Sequence, residues 1–578
     1  MVATLLALLA VSAVQASPVA RANTCSGGFT KVSAQDWLNK ANPGWNLGNT
    51  LDAIPTEGSW NNPPVVANTF SQIQSAGFKG MRLPITWTDH FVSGSPSWTV
   101  NATWLQRVSD VVDQSISRGF HTIVNVHHDA TDWADVTASG ANYTAIEEKF
   151  YSLWYQIATK LACKSSLLAF EPINEPPAST QAHYDEINKL NAIFVKAVND
   201  AGGFNPNRVL TLVGPSEDGS LTSQFFKKPS NITNPWAIQY HYYSPYDFIF
   251  GAWGKTIWGS DADKQALEAD IAAVRGNFTG IPLVIGEWSA AGTTTETAAR
   301  WKYSDSLIRT AAKYNTATFW WDNGATDFDR SVGKFRDPVV KDIIVQAAQG
   351  KTNSLADSTE DGNSLTQVSD AFIYHTAATT TTSPPPPSDL TATYILNGNT
   401  VSSVRSPTGQ TLNKGPDYTV SGNNVTFKGP LVGRYITPKT ALGPVANFTV
   451  NFSQGAALQV TLVNLGKSGL ASNTSVATTA TSGTDLRIPV TYNTIHQVAA
   501  VKATLPDGTC LVDTWTVYLP AIQQCRTTYG SQWDFDGASV TIKASAVAAV
   551  VAAGQTTTFV VEFYPRMPGN NATYTLTV

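Results

Sequence analysis

An apolar run in the first third of the sequence ends in an amide and a carboxylate. In the segment AFEPINEPP, residues 169–177, Asn174 and Glu175 stand between two prolines. Because proline restricts its own φ and the conformation of the residue before it, Glu171 and Glu175 are expected to be extended, and Asn174 and Glu175 to be presented as a stiff pair. The alternative is a strand end that carries a solvated acid.

A second candidate carboxylate, Glu287, lies near the end of the apolar run LVIGEWS. Glu175 and Glu287 could flank a glycosidic bond if they face each other across a groove. Hydrolysis with retention of configuration needs one carboxyl group to protonate the leaving oxygen and another to attack the sugar, at a separation of roughly 5–5.5 Å. The alternative for Glu287 is a role as an isolated ion-pair partner.

The two carboxyl groups would need different protonation states. The acid needs a raised pKa, which burial and a nearby negative charge provide, whereas the nucleophile needs cations and hydrogen-bond donors around it. Arg82 could bind a carboxylate through two parallel hydrogen bonds, and Trp321 offers a flat surface for a sugar ring. Further donors lie at the ends of other apolar runs: His127, His241 and Tyr243.

These residues need a frame that brings distant parts of the sequence together. From about residue 24 to 350, short β-type runs alternate with segments that have apolar residues at helical spacing. The runs are 44–49, 80–87, 121–129, 167–176, 208–216, 236–245, 282–289 and 317–324. Eight such repeats predict a parallel sheet closed into a (β/α)8 barrel. Polar residues cluster at the carboxyl end of each run, where barrels of this type build active sites.

The sequence changes character after the barrel. Residues 376–389, TAATTTTSPPPPSD, favour extended polyproline geometry and are typical of a semi-rigid spacer. Short alternating runs with turn signals then predict two β-sandwich domains. The fold class is therefore α/β, a TIM barrel followed by two β-sandwiches. The predicted parts are a signal peptide at 1–16, the barrel at 24–355, a Thr/Pro-rich linker at 356–389, and sandwiches at 390–465 and 466–578.

Composition argues against several classes of function. The formal net charge is −5 and 14% of the residues are charged, without the basic stripe that nucleic-acid binding would need. The sequence shows no phosphate loop, dinucleotide fingerprint or GxSxG motif, so we expect no cofactor. The N-terminal ATLLALLAVSAVQA predicts a secretory signal cut near Ala16. We expect an extracellular monomer that has no membrane association once this signal is removed.

Four cysteines fit an oxidising route of secretion. Cys510 and Cys525 lie close in sequence and are expected to pair, which leaves Cys25 with Cys163. Nine sequons of the form N-x-S/T would permit N-glycosylation in a eukaryotic host. They are Asn101, Asn142, Asn231, Asn277, Asn424, Asn447, Asn451, Asn473 and Asn571.

Residues 30–350 resemble glycoside hydrolase family 5. The motifs GWNLGNTLDA, MRLP, VNVHHD, INEP, HYYSP, IGEW and WWDNG occur in order at successive strand ends. This resemblance implies that Glu175 is the general acid/base and Glu287 the nucleophile. It also implies that Asn174 binds the sugar 2-hydroxyl, that Arg82 and Tyr243 donate to the nucleophile, that His241 is the partner of the acid/base, and that His127 and Trp321 lie beside the −1 sugar. We add Asn46, in the first motif, to the substrate-binding set.

The adjacent histidines His127 and His128 leave two questions open. Neighbours in a strand face opposite ways, so we expect one of them, His127, to meet the −1 sugar, with His128 kept as the alternative. The triplet 127–129 could also be interpreted as metal ligands. Because adjacent histidines on a strand diverge and no third ligand is suitably spaced, we predict no metal site.

Several tryptophans follow the predicted strands and could stack on pyranose rings. The best candidates for a cleft are Trp253 and Trp258, after the sixth run, with Trp133 as a further one. The alternative is that these residues pack inside the barrel or against its helices.

The motifs GWNLGNTLDA and WWDNG most resemble the endo-β-1,4-glucanase (cellulase) branch of the family. This resemblance implies hydrolysis of cellulose and mixed-linkage β-glucan by double displacement. A xyloglucan-specific endoglucanase is the main alternative, followed by a mannanase. A non-catalytic polysaccharide-binding protein would lack one of the carboxylates, and a structural cell-wall protein would not need the ordered polar residues.

The two sandwiches also carry resemblances. Segments 415–429 and 448–463 resemble the immunoglobulin-like X2 module, and we expect a spacer there. The last part is similar to carbohydrate-binding module family 46, with Trp515, Tyr529 and Trp533 as candidate stacking residues and sandwich core as the alternative for the two tryptophans. Arg566 is either a sugar contact or an ion pair at the end of a strand. If this module folds back, it could extend the cleft.

Overall fold

A computed structural model describes residues 24–376, 386–479, 481–518 and 524–578. The predicted signal peptide at 1–16 lies outside the described residues. Three parts follow one another along the chain: a barrel and two β-sandwiches. The predicted fold class is confirmed.

Eight parallel strands close the barrel in sequence order. They are β1 (Gly44–Asn46), β2 (Gly80–Leu83), β3 (His121–Val124), β4 (Leu168–Phe170), β5 (Leu210–Asp218), β6 (Trp236–His241), β7 (Leu283–Glu287) and β8 (Thr316–Trp320). The ring closes where Gly44 and Trp45 of β1 pair with Phe319 and Trp320 of β8. Every strand therefore directs its carboxyl end to the same rim.

Ten helices accompany the barrel within the described residues. They are α1 (Ala34–Ala41), α2 (Ala67–Ser75), α3 (Ala102–Ile116), α4 (Tyr143–Leu161), α5 (Gln181–Asp200), α6 (Gly219–Phe225), α7 (Tyr246–Ile249), α8 (Asp261–Asn277), α9 (Thr297–Lys313) and α10 (Pro338–Ala348). In α3 the side chain of Asn101 accepts from the first free backbone N–H groups. Trp104, Val108, Val111 and Val112 follow at helical spacing and are buried.

The helix α1 closes the amino end of the barrel. Its Trp37 and Leu38 form a buried cluster with residues of the strands, among them Ile123 of β3, Val284 of β7 and Phe319 of β8. Trp37 also donates a hydrogen bond to the carbonyl of Ser166. Because this end is filled by apolar side chains, the opposite rim is left for a functional site. A small antiparallel pair, β9 (Phe328–Asp329) and β10 (Lys334–Phe335), follows β8.

The first sandwich begins earlier in the chain than the sequence predicts. Its two sheets have the orders β11-β13-β16-β15 and β12-β18-β17-β14. Their strands are β11 (Leu355–Ala356), β12 (Phe372–Thr376), β13 (Leu390–Ile395), β14 (Val401–Arg405), β15 (Tyr418–Ser421), β16 (Asn424–Phe427), β17 (Gly443–Phe452) and β18 (Leu458–Leu465). A short helix, α11 (Gly429–Val432), lies between β16 and β17.

The predicted boundaries of the linker, residues 356–389, are therefore wrong, because this range contains strands of the first sandwich. β11 pairs antiparallel with β13, and β12 pairs in parallel with β18 through five residues, from Phe372 to Thr376. Both segments are short and lack a strong alternating pattern, so they resembled a spacer in the sequence. Residues 377–385, the centre of the Thr/Pro-rich segment, lie outside the described residues.

The second sandwich has a hydrophobic core of its own. Its sheets have the orders β19-β21-β24-β23 and β20-β26-β25-β22. The strands are β19 (Gly469–Leu470), β20 (Thr474–Val476), β21 (Leu486–Thr491), β22 (Val498–Thr504), β23 (Trp533–Phe535), β24 (Ser539–Ile542), β25 (Thr557–Phe563) and β26 (Asn571–Thr577), with helix α12 (Ala544–Ala553). Trp533 packs in this core with Ile488, Val540 and Phe563, so it is not a stacking residue. Trp515 is 52% exposed.

Both predicted disulfide pairings are confirmed. Cys25 is bonded to Cys163, which ties the start of the described chain to the turn between α4 and β4. Cys510 is bonded to Cys525 within the second sandwich. In the described parts of the chain, every helix is too short or too polar to cross a lipid bilayer.

Candidate active site

Two glutamates meet at the carboxyl rim of the barrel. Glu175 follows β4 and Glu287 ends β7, and an oxygen of each carboxylate lies within 4.8 Å of the other. The side chain of Glu175 is 42% exposed to a cleft, whereas that of Glu287 is 6% exposed at its floor. This cleft, of about 550 Å³, is lined by both glutamates together with His127, Asn174, Tyr243 and Trp321.

Arg82 of β2 organises the floor of the cleft. Its Nε and Nη2 donate to the two oxygens of Glu171, each at 2.7 Å, and its Nη1 donates to Glu287 Oε1 at 2.5 Å. Nη2 also donates to Asn174 Oδ1 at 2.8 Å. The guanidinium is fully buried, so it acts on the nucleophile from below. Because Asn174 accepts through its oxygen, its amide N–H groups are left for a ligand.

Asn46 does not belong to the substrate-binding set, which corrects that prediction. Its side chain is fully buried beneath Arg82 and accepts a hydrogen bond from Nη1 at 3.0 Å. Its amide donates to the carbonyl of Gly286 and to two carbonyls of β8. Asn46 thus fixes the guanidinium rather than meeting the sugar, because its side chain is fully buried and its amide is bonded to backbone carbonyls.

The orientation of His127 is set by Asn125. The backbone N–H of Ile85 donates to Asn125 Oδ1, so the amide nitrogen of Asn125 must point at His127 Nδ1, 3.0 Å away. Nδ1 is therefore an acceptor and the ring proton lies on Nε2. Burial lowers the pKa of His127 well below its ordinary value, assisted by the positive charges nearby. The ring is neutral and can donate to a sugar hydroxyl.

The expectation that His127 and His128 face opposite ways is wrong. β3 ends at Val124, and His128 begins a 3-10 turn, so strand alternation no longer applies. The two ring centroids are 4.6 Å apart, and both residues line the cleft. Asp52 lies beside them, 3.5 Å from His128 Nε2. It is a possible third metal ligand, which the sequence analysis did not find. The Asp52 oxygens accept from the backbone N–H groups of residues 49 and 50.

His241, at the end of β6, is surrounded by carboxylates. Its Nδ1 lies 2.5 Å from Glu175 Oε1 and 3.7 Å from Glu287 Oε2, and its Nε2 lies 3.2 Å from Glu217 Oε2. Burial alone would lower the pKa of His241, but the negative charges of Glu217, Glu287 and Glu175 outweigh it and raise the pKa to about 9. The imidazole is therefore protonated at neutral pH.

The protonation of Glu175 in the unliganded protein differs from the prediction. Burial favours its neutral form, but the hydrogen bond and charge of His241 outweigh burial and lower the pKa of Glu175 below its ordinary value. The expected acid is thus ionised, and its proton is held 2.5 Å away on His241. The sequence predicted a raised pKa because it did not show how closely His241 approaches.

Glu287 receives the donors that a nucleophile needs. Tyr243 donates to its Oε2 at 3.0 Å, while Arg82 donates to its Oε1. Burial nevertheless raises the pKa of Glu287, since the positive charges of His241 and Arg82 offset burial incompletely. Each of these donors binds one oxygen of the Glu287 carboxylate, and together they fix its orientation toward a bound sugar.

Trp321, just beyond β8, forms a wall of the cleft beside His127. The two rings are nearly parallel, at 8° and 6.0 Å between centroids. Trp321 packs over the backbone of Gly48, where an added Cβ would lie 2.7 Å from the indole. The glycine in GWNLGN therefore permits Trp321 to lie flat.

Trp253 and Trp258 do not offer free faces to the cleft, which corrects their prediction, whereas Trp133 is partly buried and its role in sugar binding stays a prediction. Trp258 is fully buried against Phe248 and Tyr303. Trp253 is 2% exposed, and its Nε1 donates to Thr528 Oγ1 of the second sandwich. The ring of Trp133 lies under the ammonium group of Lys149, 4.3 Å away. The sequence placed these residues after strands but could not show which packing surfaces would cover them.

The described cleft has aromatic residues that sequence analysis missed. Tyr246, the first residue of α7, and Phe250, the residue after this helix, line it and are 50% and 42% exposed. Trp60 is 39% exposed and lies 5.3 Å from the ring of His128. The four-residue spacing of Tyr246 and Phe250 was a usable signal, because it places both on one face of a helical turn.

The second sandwich docks on loops of the same rim. Arg566 donates to the carbonyl of Gly254 at 2.8 Å, and Tyr564 donates to that of Thr294 at 2.8 Å. Arg566 is buried at this junction and also pairs with Glu562 at 2.8 Å. Gly254 and Thr294 belong to the loops that follow β6 and β7. The C-terminal module is therefore packed beside the cleft.

Comparisons with known proteins agree with this geometry. Residues 43–327 match the model "Cellulase (glycosyl hydrolase family 5)", and residues 373–462 match "Carbohydrate binding domain X2". Among curated proteins, cellulase/esterase CelE of Acetivibrio thermocellus is 33% identical over 309 residues, 51% of this chain and 37% of that protein. The chain thus spans little more than a third of CelE.

Two solved structures are also similar. A tri-modular endo-β-1,4-glucanase from Bacillus licheniformis (family 5, subfamily 4) is 31% identical, covers 94% of this chain and 99% of its own, and has a TM-score of 0.81. A family 5 xyloglucanase from Paenibacillus pabuli is 30% identical, covers 54% of this chain and 99% of its own, and has a TM-score of 0.51.

A parallel barrel with two facing carboxylates at its carboxyl rim defines a glycoside hydrolase. The chain belongs to glycosyl hydrolase family 5. The enzyme class predicted from the sequence, an endo-β-1,4-glucanase of the cellulase type, is confirmed by these comparisons.

Proposed function

We propose that the protein is a secreted endo-β-1,4-glucanase that cleaves internal bonds of cellulose and mixed-linkage β-glucan with retention of configuration. The observation that carries this proposal is the approach of the Glu175 and Glu287 carboxylates to within 4.8 Å. An inverting enzyme needs a wider gap, roughly 6.5–9.5 Å, to admit a water molecule between sugar and base. Two disulfides support an extracellular location.

Double displacement follows from the contacts of the two glutamates. Glu287, held by Arg82 and Tyr243, attacks the anomeric carbon and forms a glycosyl-enzyme. Glu175 protonates the departing oxygen with the proton that it shares with His241. In the second step Glu175 takes a proton from water, which attacks the same carbon and releases Glu287. The free amide of Asn174 and the Nε2–H of His127 are available to the sugar hydroxyls.

Xyloglucan is the second candidate substrate. It is supported by the likeness of the barrel to the Paenibacillus pabuli xyloglucanase and by the exposed side chains of Tyr246 and Phe250, which line the cleft. A reducing-sugar assay on carboxymethylcellulose, barley β-glucan, xyloglucan and mannan would rank the substrates. Activity confined to xyloglucan or to mannan would overturn the cellulose assignment, and activity on none would overturn the enzymatic function.

The roles of the two glutamates can be separated with aryl cellobiosides. Glu287→Ala should abolish turnover of every substrate, because it removes the nucleophile. Glu175→Ala should lose activity on β-glucan but keep part of it on aryl cellobiosides whose leaving groups need no protonation. Glu268→Ala, on the outside of α8, is the matched control. Equal losses on both kinds of substrate in Glu175→Ala would contradict the assignment.

We also propose that the C-terminal module extends the cleft for a long glucan chain. Its support is the docking of residues 564–566 on the loops after β6 and β7, and the exposed side chain of Trp515. Deletion of 466–578 should lower activity on polysaccharides more than on aryl cellobiosides. Loss on insoluble glucan alone would instead indicate remote binding, and unchanged activity on all substrates would make the module structural.

A further inference from the structure

Glu217 is a buried acid beside the catalytic pair that the hydrolytic mechanism above does not use. It lies in β5, where pairing with β6 shifts register between Val213 and Asp218. Within this bulge Ser216 and Glu217 adopt left-handed φ values of +53° and +47°. Bulges of this kind redirect a side chain next to an active site. Here the bulge turns the carboxylate of Glu217 inward, where it has no solvent exposure.

The carboxylate of Glu217 contacts both members of the acid/base pair. Its Oε2 accepts from the backbone N–H of Glu175 at 2.8 Å and lies 3.2 Å from His241 Nε2. Its Oε1 accepts from Gln239 Nε2 at 3.0 Å, which fixes the carboxylate in turn. Glu217 therefore touches the main chain of the acid/base on one side and the far nitrogen of its imidazole partner on the other.

These two contacts have different effects. The bond to the Glu175 N–H holds a residue whose φ is +41°, a conformation that non-glycine residues adopt at a cost. The charge contact of Glu217 with His241 Nε2, at 3.2 Å, holds the ring so that Nδ1 points at Glu175 Oε1, 2.5 Å away. Outer partners of this kind commonly set the tautomer and direction of a functional histidine.

We propose that Glu217 is a positioning residue of the hydrolytic reaction, which holds the imidazole of His241 and the backbone of Glu175 so that Glu175 is aimed at the glycosidic oxygen. This inference rests on the proposed function. In this role Glu217 does not itself contact the substrate. Above about pH 8, the same carboxylate also places a negative charge beside the proton that the acid/base pair shares.

The effect of this charge on pH dependence can be worked out from the groups around His241. Glu175, Glu217 and Glu287 face it directly, while Arg82 lies beyond Glu287, and His127 and Tyr243 lie farther away. Burial raises the pKa of Glu217 to about 8, so above that pH its charge is present. It then helps to hold the proton on His241, whose pKa is about 9. Removing the charge should move the alkaline limit of activity to lower pH.

The test compares Glu217→Gln with Asp218→Asn. Asp218 is the exposed neighbour that caps α6, and asparagine can keep that cap, so it serves as the matched control. For each variant, kcat/KM is measured on aryl cellobiosides with poor and good leaving groups, and its pH profile is recorded. Wild-type turnover is measured first; its absence would overturn the proposed function rather than this inference.

Glu217→Gln should lower kcat/KM at least about tenfold for the poor leaving group and less than about twofold for the good one, because general acid catalysis matters for the first. Its alkaline limb should move to lower pH, while Asp218→Asn matches wild type. Equal losses on both substrates with an unmoved alkaline limb would overturn the proposal, since a structural role predicts that result.

A second variant covers the case in which Glu217→Gln does not fold. Glu217→Asp keeps the charge but shortens the side chain, so it should lose activity on the poor leaving group while its alkaline limb stays closer to that of wild type. Circular dichroism and thermal melting check the fold of each variant. A folded Glu217→Asp with wild-type kcat/KM on both substrates would also overturn the proposal.

Discussion

Arg82 shows how one residue can align several parts of an active site. Its guanidinium contacts Glu171, Glu287, Asn174 and Asn46, which come from the carboxyl ends of three strands, β4, β7 and β1. The planar fork of arginine suits the two parallel bonds to Glu171, and no exposed position would give these bonds comparable strength. Electrostatics at the floor of the cleft therefore depend on the shape of this side chain as well as on its charge.

Arg82→Lys should reduce kcat on β-glucan by roughly 100-fold or more, because a single ammonium group cannot align Glu287 and Asn174 together. The measurement is kcat on barley β-glucan, with thermal melting to check the fold. Arg107→Lys is the control, since Arg107 makes a similar two-bond contact with Glu57 away from the cleft. A loss of less than about fivefold in a folded Arg82→Lys protein would contradict the role that we assign to the fork.

Residue types alone predicted which polar side chains the structure brings together. All strands of a closed parallel barrel end at the same rim. The rim therefore carries Arg82, Asn174, Tyr243 and Glu287. The protonation of Glu175 could not be predicted in the same way. It depends on a 2.5 Å contact with His241, and the sequence holds no information on a distance between two strand ends.

At the scale of elements, irregular segments account for most of what the sequence did not predict. The bulge in β5 presents Glu217, and the single turn of α7 with its C-cap presents Tyr246 and Phe250. The bulge has no hydrophobic period that a sequence could show, and the helical turn gives only the four-residue spacing of its two aromatic residues. Trp253 and Trp258, by contrast, lie in an extended loop whose burial depends on α9 and on the second sandwich, so their positions could not be derived locally.

Tyr246→Ala should raise KM on long β-glucan chains about fivefold and leave kcat nearly unchanged, because it removes an aromatic face from the cleft wall without touching either glutamate. Kinetics on barley β-glucan and on an aryl cellobioside provide the measurement. Tyr184→Ala is the control, since Tyr184 stacks on Phe225 on the outer side of the barrel. A change confined to kcat would show that Tyr246 acts on the glutamates instead.

At the scale of the whole molecule, the second sandwich and the barrel share a buried polar junction. Arg566 donates to Gly254, Thr256 and Gln367, which lie on either side of the boundary between barrel and first sandwich. Trp253 links the same junction to the cleft, because its indole donates to Thr528 and stacks on Tyr246 with 5.4 Å between ring centroids. Docking of the module therefore supports one wall of the cleft.

Arg566→Ala should weaken this docking by about 3 kcal/mol, since it removes a buried cation that pairs with Glu562 and the hydrogen bonds to Gly254, Thr256 and Gln367. Thermal unfolding should then separate into two transitions, and small-angle scattering should report a larger radius of gyration. Arg487→Ala, which breaks an exposed pair with Asp536 in the same sandwich, is the control. A single unchanged transition in Arg566→Ala would contradict a supporting role for the junction.

The early start of the first sandwich limits where the chain can be divided. β11 and β12 are each the outer strand of one of its sheets. A gene fragment opened at residue 390 would lack both and would present β13 and β18 with unpaired backbone groups, a condition that invites association between copies. A fusion of the first sandwich to another enzyme should therefore begin upstream of residue 355, and would include the residues that follow the last helix of the barrel.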